Sequence, residues 1–152
     1  MFLNILVGID GSGSSLRALD HAVNLARAGN AKLTIITVAP PVSSYVTLAG
    51  TTPEKMRAEL DKWASGLLEQ ATKSIRDDVL VHTIERHGNA GHEIVKEIKH
   101  GGYDLVVLGT RGRGRTQEGL LGSVNGYVHF HSHVPLLTVP EDSATEQLEP
   151  EG

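Results

Sequence analysis

Gly109, Gly112, Gly114, Gly119 and Gly122 fall in one short stretch, interspersed with Arg111, Arg113 and Arg115. Glycines let a backbone approach a ligand closely and adopt positive φ. Backbone N–H groups exposed in this way form an anion cradle, above all where a helix begins, as the residues at Gly122–Ser123 suggest. Three guanidinium groups would add positive charge. The chemistry implied is phosphate binding; the alternative is a solvated loop that its arginines merely keep in water. Asp10, in the turn Gly8-Ile9-Asp10-Gly11-Ser12, is the second candidate. Its carboxylate could contact a ligand at the end of the first strand or cap the helix that follows.

Other chemistries find less support. The chain has no cysteine, which removes thiol catalysis, Cys-ligated zinc, iron–sulfur clusters and disulfides. Gly109-x4-Gly114-Arg115-Thr116 is a near miss of the P-loop, with the planar fork of Arg in place of the Lys point charge. Gly11-x-Gly13-x-x-Leu16 lacks the third glycine of a dinucleotide fingerprint, and no acid ends the second strand. His129 and His133 have the spacing of two metal ligands on one helix face, but no third ligand is evident, so no metal is expected. Arginines without an aromatic platform argue against nucleic acid. No Ser-His-Asp order, G-x-S-x-G, H-E-x-x-H or kinase signature is present. Asp10 with Mg²⁺ and an arginine from 111–115 could be cast as a slow ATPase or phosphotransferase, but nothing requires it.

These residues need a frame to bring them together. Apolar runs predict strands at Phe2–Ile9, Lys32–Ala39, Asp104–Leu108 and Val134–Val139. Val79–Arg86 alternates and predicts a less buried strand. Three-and-four spacing predicts a helix with Leu16, Leu19, Ala22, Val23 and Ala26 inward and Gly29 as its stop. A second helix, capped by Thr52 with Pro53 in its first turn, carries Met56, Leu60, Trp63, Leu67, Ala71 and Ile75 as its apolar stripe, so Trp63 is expected in the core. Ile94, Val95 and Ile98 mark a short helix over Glu93–His100. Strands alternating with helices give an α/β fold, a parallel sheet covered on both faces. Ligands of such sheets bind beyond the carboxyl ends of the strands, here after Ile9, Val38 and Leu108.

At 152 residues the chain fits one domain without a staple. Its net charge of −4 is uneven. Residues 141–152 hold five acids and no Lys or Arg, which leaves 13 acids against 14 bases in residues 1–140. We therefore expect a domain at 1–140 and a disordered acidic tail. No apolar run reaches the length of a membrane span, and the N-terminus has no basic leader segment, so a cytoplasmic location is expected.

Gly109-x2-Gly112-x9-Gly122-Ser123 resembles the G-x2-G-x9-G-[S/T] nucleotide-binding signature of the universal stress protein family. ILVGIDGS, DLVVLGTRGRG, LLGSV and VPLLTVP resemble its first strand and turn, fourth strand and loop, helix start and last strand. The resemblance covers residues 1–140. It implies a Rossmann-like five-stranded sheet of order 3-2-1-4-5, an ATP-binding (or AMP- or ADP-binding) stress-response role with or without Mg²⁺, and a homodimer through Val134–Val139. It places Gly8 and Asp10 near the ribose or adenine. Val38, Leu108 and Gly109 fall at the adenine pocket, and Gly112, Gly122 and Ser123 at the phosphates, with Val124 and Asn125 beside them. Asn125 stands where many ATP-binding members have Ser or Thr, which sets triphosphate against mono- or diphosphate. That departure and the unusual GYVHFHSH segment also admit an interaction protein without nucleotide.

Overall fold

The computed structural model describes residues 1–43, 50–110 and 122–141. Within them, strands and helices alternate: β1 (Asn4–Gly8), α1 (Gly13–Gly29), β2 (Lys32–Ala39), α2 (Pro53–Lys73), β3 (Leu80–His87), α3 (Ala90–Gly101), β4 (Leu105–Gly109), α4 (Ser123–His131) and β5 (Leu136–Val139). The five strands form one parallel sheet in the order β3-β2-β1-β4-β5.

Strand alternation sorts the core into two layers. Ile5, Val7, Leu33, Ile35, Leu105 and Val107 face Ala18, Leu19, Ala22 and Ala26 of α1 and Leu68 and Ala71 of α2. Leu6, Ile36, Val106 and Leu108 face Ile94, Val95 and Ile98 of α3 and Val128 of α4. β1 and β2 are buried along most of their length, which explains their apolar runs. β3 is an edge strand with every residue at least partly exposed, as its alternating sequence suggested.

Several helix boundaries follow their caps. Thr52 Oγ1 accepts from Lys55 N at 3.2 Å, and Pro53 occupies the first turn of α2 as expected. Asn89 caps α3 through His92 N at 3.0 Å, so that helix begins three residues before Glu93. β1 starts at Asn4 rather than Phe2, and β5 at Leu136 rather than Val134. Asp104 stays outside β4 because its carboxylate accepts from Leu3 N and Asn4 N, at 2.9 and 3.0 Å, where β1 enters the sheet.

Two helix faces differ from expectation. Leu16 is 44% exposed, while Ser14 and Ser15 are buried at the start of α1. On α2 the buried positions are Leu60, Ala64, Leu68 and Ala71, and Trp63 is only partly covered. Alanine and serine, the smaller side chains, take the places closest to the sheet.

Candidate functional site

Strand order reverses between β1 and β4, which are neighbours. From β1 the chain goes to β2 on one side, and from β4 to β5 on the other. The loops after β1 and β4 therefore diverge and leave a crevice at their carboxyl ends.

The β1 side is a built turn. Ile9 N still bonds to Ile36 O at 3.0 Å, and the buried Thr37 hydroxyl donates to Ile9 O at 2.7 Å. Asp10 N donates to Ser15 Oγ, and Asp10 Oδ1 accepts from Ser12 N at 2.9 Å. Gly11 has φ +88°, a left-handed conformation that disfavours any other residue. The α1 cap is Ser12, whose Oγ accepts from Ser15 N at 3.3 Å. Asp10 thus braces the turn before the helix and is not its N-cap.

The β4 side ends at Gly109, where space is the controlling factor. A Cβ at Gly109 would lie 2.5 Å from Ser14 Oγ and 2.6 Å from Ser14 carbonyl carbon. Gly8 is close-packed in the other layer, where a Cβ would come 2.8 Å from Leu108 Cδ2. Thr110 N continues the ladder to Val139 O at 2.8 Å, and Thr110 O accepts from Gly122 N at 3.1 Å. Residues 110 and 122 are therefore tied together at the base of the glycine and arginine stretch. Gly112 and Arg111, Arg113 and Arg115 lie outside the described residues.

Gly122 is the N-cap of α4, and no side chain caps the helix there. The first i→i−4 bond runs from Gly126 N to Gly122 O at 3.1 Å. The N–H groups of Ser123, Val124 and Asn125 precede it, and such groups are the usual anion donors of a helix start. A Cβ at Gly122 would sit 3.1 Å from Thr110 O. Ser123 is exposed and Val124 partly covered.

Asn125 is 2% exposed. Its Nδ2 donates to Gly109 O at 2.5 Å, and its Oδ1 accepts from Thr138 Oγ1 at 3.3 Å. The amide joins the start of α4 to the ends of β4 and β5. No local pattern in the sequence signals these contacts. Val38 and Leu108 belong to the same apolar layer as Val124. The structure thus gathers Gly8, Asp10, Val38, Leu108, Gly109, Gly122, Ser123, Val124 and Asn125 around the carboxyl ends of β1, β2 and β4.

The histidine-rich segment does not make a helix-face pair. α4 stops at His131, and Ser132 is extended with φ −125° and ψ 146°, so His129 and His133 do not share a helical face. His131 stacks on Tyr127 with ring centroids 4.0 Å apart. A different polar cluster, Asp61 with Glu85 and His87, lies where α2 meets the end of β3.

A family model described as the universal stress protein family matches residues 1–140. The chain is 38% identical over 147 residues to universal stress protein YxiE of Bacillus subtilis, covering 91% of this chain and 99% of that protein. The solved structure of hypothetical protein MJ0577 superposes with a TM-score of 0.83 at 25% identity, over 94% of this chain and 99% of that one. A universal stress protein crystallised in complex with cAMP is 30% identical, with a TM-score of 0.58, covering 91% of this chain and 96% of its own. Spanned from residue 1 to 140 by the family model and matched along almost its whole length by these relatives, the chain belongs to the universal stress protein family.

Proposed function

We propose that this protein is a cytoplasmic adenine-nucleotide-binding module of the stress response, acting as a homodimer whose conformation or partner contacts respond to ATP. The observation that carries the reading is the uncapped start of α4 at Gly122, tied by Thr110 to the end of β4, where strand order reverses. The glycine spacing from Gly109 to Gly122 fits the same role. The N–H groups of Ser123, Val124 and Asn125, with Gly112 and the arginines of the intervening stretch, hold phosphate oxygens. Val38 and Leu108 supply an apolar wall for the base, and the Asp10 turn meets the ribose. The cAMP complex of a 30% identical relative supports an adenine ligand with at least one phosphate. ATP is the form proposed, with AMP or ADP as the alternative ligand and Mg²⁺ accompanying the triphosphate.

With its side chain engaged by Gly109 and Thr138, Asn125 serves the site chiefly as a brace and leaves its backbone N–H for the ligand. Dimerisation through Val134–Val139 suits a short edge strand with Leu137 exposed and Phe130 of α4 82% exposed nearby in sequence.

Isothermal titration of nucleotide-free protein with ATP·Mg²⁺ tests the reading. Saturable binding is expected, weakened in Gly122→Ala, whose added Cβ crowds Thr110 O and displaces the phosphate. Absence of binding at millimolar ATP, or equal affinity in Gly122→Ala, would sink it.

A further inference from the structure

Glu85 and His87 are two residues apart on β3, so both project from the same face. That face meets α2, which brings Asp61 over the end of the strand. His87 Nε2 is 2.8 Å from Asp61 Oδ1 and 3.3 Å from Glu85 Oε2. One donor atom from each of the three residues lies within 4.8 Å of the others. Among the described residues, no Lys or Arg forms a salt bridge with either carboxylate. Neighbouring Arg86 turns to the opposite face, toward Glu93 and Glu97. His87 Nδ1 is buried with no partner among the described residues, so the ring's polar contacts are all at Nε2.

We infer that Asp61, Glu85 and His87 form a divalent-cation site of the zinc class. Two carboxylates converge on one imidazole with no permanent cation between them, an arrangement that a dication would neutralise. A tetrahedral ion with bonds of 2.0–2.1 Å separates its ligand atoms by roughly 3.3–3.5 Å. The His87–Glu85 distance already meets that requirement. The His87–Asp61 distance needs an opening of roughly half an ångström, and the Asp61 side chain, 50% exposed, can rotate to give it. The imidazole donor favours Zn²⁺ over Mg²⁺ or Ca²⁺, which prefer oxygen. Three protein ligands leave the fourth position to water. Bound metal would fasten α2 to the edge strand.

The inference is independent of nucleotide binding and is tested without it. The full chain, stripped with chelator, is titrated with Zn²⁺ by calorimetry, with Mg²⁺ as competitor. One zinc per chain is expected, undisturbed by excess Mg²⁺, with a rise in melting temperature. Loss of a residue behind a metal ligand costs roughly 10–100-fold in affinity, so loss of the ligand itself in His87→Ala should cost at least as much. Asp61→Asn, at a half-exposed helix position, keeps the shape and guards against misfolding of the His87 variant. Nitrogen NMR should show the His87 Nε2 resonance moving on zinc addition. His129→Ala and His131→Ala should bind as the parent does. Parent affinity retained in both His87→Ala and Asp61→Asn, no zinc uptake at high-micromolar concentration, or a stationary His87 resonance would overturn the site.

Discussion

Replacing Gly109 with alanine adds one methyl group where the first turn of α1 already sits. Its Cβ would stand 2.5 Å from Ser14 Oγ, 2.6 Å from Ser14 carbonyl carbon and 2.7 Å from Ser15 N. Carbon atoms pack best at about 3.5–4.0 Å, so the overlap approaches 1 Å. Two of the three atoms are main chain and have no rotamer to escape into. Overpacking of a tight core costs about 1–3 kcal/mol, and main-chain contacts place this case toward the upper end. With a urea slope of about 1–3 kcal/mol/M, the unfolding midpoint should fall by roughly 1 M. Nucleotide affinity should fall with it, because α1 carries Ser12 and the turn braced by Asp10. The control is Gly126→Ala, where a Cβ meets nothing within 4 Å. There the gain in helix preference should stabilise by about 0.5–1 kcal/mol. Opposite signs for the same substitution make the comparison decisive. An unchanged midpoint for Gly109→Ala, or equal shifts in both variants, would refute steric closeness of α1 to β4 as the reason for glycine.

Other expectations concern the polar braces. Asn125→Ala strands Gly109 O and the Thr138 hydroxyl in the interior and should cost about 2–4 kcal/mol in urea unfolding. Arg86→Met leaves the buried Glu97 carboxylate without its cation and held, among the described residues, by the Tyr103 hydroxyl at 2.7 Å. Since the Arg86 side chain is 32% exposed, we expect a loss of about 2–3 kcal/mol, largely recovered on adding Glu97→Gln. Burial pushes the Tyr103 phenol from 10.0 up to about 12, with a hydrogen bond to Thr34 opposing and Glu97 reinforcing the rise. The unfolded chain therefore releases this proton first. The stability it confers is intact below pH 10 and lost toward pH 12, at a slope nearing about 1.4 kcal/mol per pH unit. Denaturant unfolding across that range checks it, and Tyr103→Phe should remove this part of the slope.

Local signals carried far in this chain. Hydrophobic period marked all five strands to within about two residues, and Thr52-Pro53 announced the start of α2 by chemistry that needs no tertiary context. The apolar count failed where small residues take the tightest places. Ser14 and Ser15 are buried because α1 presses on Gly109, so Leu16 turns outward. On α2, Ala64 takes the inner face and Trp63 is only partly covered. At the candidate site, spacing singled out Gly109 and Gly122 for approach to a phosphate, whereas the neighbours that crowd them are Ser14 and Ser15 of α1 and Thr110 O. The partners of Asn125 were not legible, because Gly109 O and Thr138 meet it only after the sheet is assembled. Asp61, Glu85 and His87 were equally hidden: the strand spacing of the last two is visible, but the helix residue that joins them is set by tertiary packing.

The two rims of the sheet differ in how they would receive another strand. β3 ends in Glu85, Arg86 and His87, and its polar and charged side chains discourage a stranger from adding to the ladder. β5 is four residues long and bears only Leu136, Leu137, Thr138 and Val139. A chain that could pair at both rims would propagate head to tail into a fibre, whereas one that pairs at a single rim is finished after the second copy. In the proposed dimer, the asymmetry of these outer strands would hold growth to two copies.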